Sequence, residues 1–291
     1  MKNLRYYFGL ALFFSFISCF GQNQNSVLWE ISGKTLKAPS YVFGTIHTVC
    51  PDDLALTARI TKSFAKTDRL VLELDMDDPQ FATEMQQLSI NSGMKNLSSL
   101  LNEDELATLN KFYQKHYQSD MSQLGILKPF VLLSMMFMKG LDCPQPASYE
   151  LSLMELAKKE EKEVLGLELL TDQIGIFDKV PEKEQLDWLV KYASDEEQFK
   201  NNIRELVLSY KTENLSEIQS QMNNYPEYAE LTEELLDNRN KKWISSIVAF
   251  AEEKPTFFAV GAAHLGSDNG IINLLKKEGY TVKPIPKESP Q

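Results

Sequence analysis

YVFGTIH, residues 41–47, and FAVGAAH, residues 258–264, are the two stretches that decide how this chain folds. Each is an apolar, β-prone run that reaches a glycine, passes two small or apolar residues and ends on a histidine. A helical pattern and then another strand follow each of them. A short apolar run bounded by polar turns reads as a strand buried on both faces, as in parallel sheets. In open α/β sheets, ligands bind beyond the carboxyl ends of the strands, where loops lead into helices. Both histidines therefore fall on the rim where such a fold carries its chemistry. His47, His116 and His264 are the three histidines in 291 residues, so two of them at matched rims form a pattern.

Working outward, Ser26–Ser32 alternates like a strand, and Gly33–Pro39 reads as the turn of a hairpin leading into residues 41–47. Asp52 and Asp53 are expected to cap a helix from about Leu54 to Ala65, with Leu56, Ile60 and Phe64 on one face. Arg69–Asp75 (RLVLELD) is a strand ending in acids. Strand, helix, strand in about 35 residues is the βαβ unit, which implies a parallel pair. From about Pro79 to Glu161 the periodicity is helical, including the strongly apolar Pro129–Met138. Glu163–Glu168 (EVLGLE) is a short strand ending in an acid, after a helix over Tyr149–Lys159. Helices return from Asp172 to Phe250. Thr256–His264 is a buried strand, Ile271–Lys277 a helix stopped at Gly279, and Tyr280–Ile285 the last strand.

These readings define an α/β fold: a mixed, partly parallel sheet flanked by helices, with a large all-helical insertion in the middle of the chain. The core falls at 26–78, 163–170 and 254–286, and the insertion at about 79–162 and 171–252. No Gly/Ser-rich linker divides residues 22–291, so one domain is expected.

The rim chemistry follows from these placements. Glycine at 44 and 261 lets the backbone pass close to a neighbour or a ligand. His47 and His264 would meet Glu73, with Asp75 farther out, and Glu168 at the ends of two more strands. Two neutral imidazoles and one or two carboxylates form a site for a divalent metal, with His47, His264 and Glu73 as ligands. Such an ion makes a nucleophile of its bound water, and a second carboxylate can serve as base. The plainer alternatives are a hydrogen-bonded rim histidine and a structurally paired acid. On the helix around Leu231–Phe250, Arg239 falls on the apolar face with Asn240 beside it, whereas Lys241 and Lys242 point outward. A buried arginine needs a partner. It either pairs with a core acid or holds a substrate oxygen or a catalytic glutamate. His116, in KFYQKHYQ, reads as solvated helix surface.

MKNLRYYFGLALFFSFISCFG, residues 1–21, has the basic start and short apolar run of a signal peptide, and is short for a membrane span. Cleavage after Gly21 competes with a lipid anchor on Cys19, for which Phe16 is a poor fit; soluble export is favoured. Loss of Lys2 and Arg5 with the leader takes the net charge from −11 to −13. That charge and a pI near 4.9 argue against nucleic acid as a partner. Cys50 and Cys143 would remain, and in an oxidising compartment a disulfide is the plain expectation. Metal ligation is the competing reading, weakened by the lack of CxxC spacing.

At these same residues the chain resembles the TraB/GumN family, which includes the Tiki-type metalloproteases. The carriers are GTIH at 44–47, ELD at 73–75, GLE at 166–168, RNxxW at 239–243 and VGAAHLGSDNGIINLLKKEGYTVKPI at 260–285. The resemblance implies a fold related to the erythromycin-esterase and ChaN-like proteins. It also implies a divalent-metal-dependent peptidase (Mn, Co or Zn) acting on a peptide or protein substrate. His47 and His264 would be its metal or catalytic histidines, with Glu73 and Glu168 as partners. Ala263 stands where family members often have glycine, and its methyl would narrow the pocket. A counterpart of the membrane anchor of the animal Tiki proteins is not expected. ChaN-like and pheromone-inhibitor relatives imply the alternative of a binding protein that sequesters a peptide, haem or metal in the same cleft.

Overall fold

The computed structural model of the chain describes residues 25–287. The signal sequence and the Cys19 anchor lie outside those residues. Six strands form one sheet: β1 (Leu28–Ser32), β2 (Ser40–Thr45), β4 (Arg69–Leu74), β6 (Glu163–Glu168), β7 (Thr256–Gly261) and β8 (Thr281–Pro284), in the order β6-β4-β7-β2-β1-β8. Two short strands, β3 (Thr48–Val49) and β5 (Ala147–Ser148), pair separately. β6, β4, β7 and β2 run parallel, whereas β1 pairs antiparallel with β2 and with β8. The fold is thus α/β with a mixed sheet, as the sequence pattern implies.

Burial explains the strand order. Every residue of β2 and β7 is buried, so both strands need neighbours on each side and helices on each face. β8 alternates between exposed and buried and takes an edge. Along β7, Phe257 and Ala259 enter one apolar cluster while Phe258 and Val260 enter the other. The face containing Phe258 packs on Trp243, Ile247 and Ala251 of the helix Asn238–Glu253, and on Ile271, Ile272 and Leu275 of the helix Ile271–Lys277. The opposite face packs on Ile60, Phe64, Leu153, Ala157 and the larger helical layer.

Three local expectations need correction. β2 and β4 are parallel, yet β7 lies between them, so the strand–helix–strand unit is not a hydrogen-bonded pair. The helix expected from Leu54 begins at Ala58, because Pro51 starts a separate 3₁₀ turn and Leu54 is extended. The insertion is helical except for β5 and one isolated bridge, Ile90 with Leu127. β5 matters to the site, as shown next.

Cys50 and Cys143 form a disulfide, with their Cα atoms 5.7 Å apart. Among the described residues no helix is long and apolar enough to cross a membrane.

Candidate functional site

Four adjacent parallel strands each deliver one polar group to the same end of the sheet. Glu168 ends β6, Glu73 lies near the end of β4, and β7 ends at Gly261 before a 3₁₀ turn that carries His264. β2 ends at Thr45, with His47 two residues beyond it. Thr45 and Gly261 are in register, as are Leu74 and Glu168, which brings the four groups to one level.

Gly261 marks where they converge. A methyl built there would stand 3.2 Å from His47 Nε2, 3.4 Å from Glu73 Oε1 and 3.6 Å from His264 Cδ2. The two imidazoles and the carboxylate therefore surround one small space that a side chain would fill. The Gly261 N–H also donates to Glu73 Oε1 at 2.7 Å. Gly44 differs: a methyl there would meet Leu265 Cδ1 at 2.7 Å and Ala262 Cα at 2.8 Å. Its smallness lets β2 lie against the turn that carries His264, and its close neighbour is chain.

His47 and His264 are held from opposite sides. His47 Nδ1 donates to Glu150 Oε1 at 2.9 Å, leaving Nε2 turned toward Gly261. Glu150 also accepts from Thr45 Oγ1 and Ser148 Oγ. Partial desolvation works against a charge on His47, but the Glu150 carboxylate outweighs it and lifts the imidazole to about 9. The same contact, against burial, holds the Glu150 carboxyl below the usual range. The His47 side chain is 63% exposed, so its charge is partly screened by water, whereas His264 is enclosed. Burial, aided by Arg239 and His47, pushes His264 down to about 3 despite Glu73, so this imidazole is neutral. Its Nδ1–H donates to Asn240 Oδ1 at 2.7 Å, because the Asn240 amide group donates to the carbonyls of Asn269 and His264. His264 Nε2 then carries the lone pair, accepts from Arg239 Nη1 at 3.2 Å and lies 3.7 Å from Glu73 Oε1.

Arg239 binds both core acids. Its Nη2 donates at 2.6 Å to Glu73 Oε2 and at 2.6 Å to Glu168 Oε1, and its Nε reaches both Glu168 oxygens. Trp243 Nε1 completes the hold on Glu168, and Gln173 donates to Glu73 Oε2. The guanidinium also lies over the Trp243 ring, and Nη1 donates to Leu235 O. Leu235 belongs to a π turn, Glu233–Asp237, that directly precedes Arg239. Burial alone would raise Glu73, but Arg239, the two histidines and the Gly261 N–H hold its carboxyl well below the usual range. Burial dominates at Glu168, and together with the Glu73 charge it raises that carboxyl despite Arg239.

The donor set fits a divalent cation in kind and in orientation. Two imidazole nitrogens and a strongly acidic carboxylate face one space, and each imidazole's other nitrogen is anchored, as ligating histidines require. The spacing is open: among the described residues, no group of three His, Cys, Asp or Glu stands close enough to hold an ion without closing further.

Other groups fall outside this cluster or escaped the sequence reading. Asp75 faces a polar hollow beside Glu168, and burial with the Asp77 carboxylate raises it to about 6. His116 is not solvated surface: Nε2 meets Glu196 at 2.8 Å, its ring lies tilted against Phe112, and 14% of its side chain is exposed. Glu150, Gln173 and Trp243 were missed as site partners. For Glu150 a signal existed, because the disulfide predicted from Cys50 and Cys143 joins the segment after His47 to the segment before Glu150.

The TraB/PrgY/gumN family profile matches residues 27–284, and the chain belongs to that family. Metalloprotease TIKI2 of Danio rerio is 23% identical over 92% of this chain and 62% of its own length. Metalloprotease TIKI2 of Xenopus tropicalis is 21% identical, over 91% of this chain and 61% of its own. The chain thus spans about three-fifths of the length of these relatives. No solved structure matches it significantly.

Proposed function

We propose that this is an exported, divalent-metal-dependent hydrolase that cuts peptides, with its centre at His47, Glu73 and His264. The observation that carries this reading is the convergence of two anchored imidazoles and one strongly acidic carboxylate on the space beside Gly261. The metalloprotease names of the TIKI relatives support a metal and a peptide or protein substrate. The disulfide is compatible with export.

His47 Nε2, His264 Nε2 and Glu73 Oε1 would hold the ion, taken from Mn, Co or Zn. When bound, it supplies a water acidified toward neutrality and a Lewis acid for a carbonyl oxygen. Glu150 and Asn240 keep each imidazole's Nε2 turned inward. Glu73, so acidic, suits cation binding better than proton transfer. Glu168 has a raised pKa, but both its oxygens are held by Arg239 and one by Trp243, so we assign it a positioning part. Once His264 Nε2 turns to a ligand, the Arg239 Nη1–H that it accepts becomes available to a substrate carbonyl.

The test is digestion of a peptide library with and without Mn²⁺, Co²⁺ or Zn²⁺, repeated with His47→Ala and His264→Ala. Metal-dependent products that vanish in both variants are expected. Equal cleavage by the variants sinks the assignment. The open spacing of the donors favours a second reading, in which the cleft sequesters a peptide, haem or metal without turnover. Stoichiometric binding with no products would establish it.

A further inference from the structure

Resting on that reading and deepening it, we infer that the cavity beside His47 is a subsite for one large apolar side chain of the substrate peptide. The cavity measures about 370 Å³ and has His47 and Gly261 in its lining, so whatever fills it sits next to the reacting groups. Its far walls come from three helices: Phe137 and Met138 of Pro129–Gly140, Ile203 and Val207 of Glu196–Thr212, and Ile218 and Met222 of Leu215–Met222.

Three of the four side-chain hydroxyls on these walls are already committed, that of Thr48 being the exception. Thr45 Oγ1 donates to Glu150, the Tyr210 hydroxyl to Gly44 O, and Ser134 Oγ to Phe130 O. Apart from His47, no charged residue lines the cavity. A polar or charged occupant would be stripped of water with little returned, whereas an apolar one loses nothing. The volume is near the lower end of ligand clefts, which suits a side chain rather than a whole ligand. Met138, 39% exposed, and Met222 give the wall flexible thioethers that adjust to Leu, Met or Phe. The other side of the site is mixed in character. The hollow of about 770 Å³ beside Arg239 has apolar walls from Leu165, Leu167 and Phe250, but it also carries Asp75, Asp172, Lys179 and Lys242. The walls free of acids and lysines are those on the His47 side, which is where the apolar side chain is placed.

The test uses peptides of one common sequence that carry Ala, Leu, Phe or Asp at each position in turn, with products identified by mass spectrometry. One position flanking the cut should favour Leu or Phe over Ala by roughly 10- to 100-fold in kcat/KM and reject Asp. Met138→Trp, at a position 39% exposed, should lower the Phe-to-Ala ratio at least about tenfold. Met222→Ala should move the preference toward the larger side chain. Cleavage without an apolar preference, or a ratio unmoved by Met138→Trp, overturns the subsite and leaves the hydrolase reading intact. If nothing is cut, calorimetric titration of the same peptides decides the matter. Apolar-selective binding weakened by Met138→Trp upholds the subsite while removing hydrolysis; binding without selectivity overturns it.

Discussion

Arg239→Met removes one cation from between two enclosed carboxylates while keeping most of the side-chain volume. The side chains of Arg239, Glu73 and Glu168 are 8%, 9% and 8% exposed, so water cannot replace the lost partner. Removing one member of a buried ion pair costs about 3–5 kcal/mol, a large part of a domain's stability and roughly 10 °C in Tm. The pH dependence should change sign. In the parent chain Glu73 has a depressed pKa, so its contribution is complete above the unfolded value of about 4.3 and is lost as pH falls below it. Without Arg239 the two acids face each other in a buried setting, and their folded pKa rises above the unfolded one. The stability then present below about pH 4.3 is lost as pH rises. The deficit relative to the parent should therefore grow from pH 4.5 to 7.5 in urea denaturation. Glu73→Gln added to Arg239→Met should recover much of it by removing the stranded charge. A variant within about 1 kcal/mol of the parent at both pH values, or a double variant weaker still, would refute the argument.

An ion at His47 Nε2 must displace the proton that the imidazole carries below about 9, whereas His264, neutral down to about 3, gives up none. Cation affinity should therefore rise about tenfold per pH unit between 6 and 8, with one proton released per ion. Calorimetry in buffers of differing ionisation heat reads this, and a flat profile contradicts it. Glu150→Gln should let the His47 pKa fall, as followed by imidazole NMR, and flatten the rise of cation affinity between pH 6 and 8. Replacing both Cys50 and Cys143 with serine should cost about 2–5 kcal/mol in denaturation, and reductant should do the same to the parent chain. The two glycines should separate. Gly44→Ala forces a methyl onto the Ala262 backbone and should lower stability by about 1–3 kcal/mol; Gly261→Ala should leave Tm nearly unchanged and weaken cation binding. Equal effects of the two on both readouts would dissolve the distinction.

β2 and β7 were legible because an unbroken apolar run is what a doubly covered parallel strand must be, and their endings fixed His47 and His264 at one rim. Glu73, Glu168 and Arg239 were legible as polar residues where polarity is costly. The strand order was not, because a run such as TFFAVG states that it is buried but not which neighbours bury it. That β7 separates β2 from β4 depends on contacts between opposite ends of the chain. Glu150 was hidden for a related reason. It lies 103 residues from His47 and reaches it through β3–β5, a pairing too short to leave a period in the sequence. His116 was misread because an amphipathic pattern shows only its own helix; Glu196, which pairs with it, comes from another.

The sheet and the helical segments between its strands divide the labour at the candidate site. Residues 26–78, 163–170 and 254–286 supply His47, Glu73, Glu168 and His264. Glu150, Gln173, Arg239, Asn240 and Trp243, which bind each of those four, all come from the helical segments between. An isolated core would leave two buried acids without a cation and two imidazoles free to turn, and the acids alone would penalise its folding. The helical segments are therefore part of the candidate site: they orient both imidazoles, balance the acids and, through the helices beside His47, wall the apolar cavity.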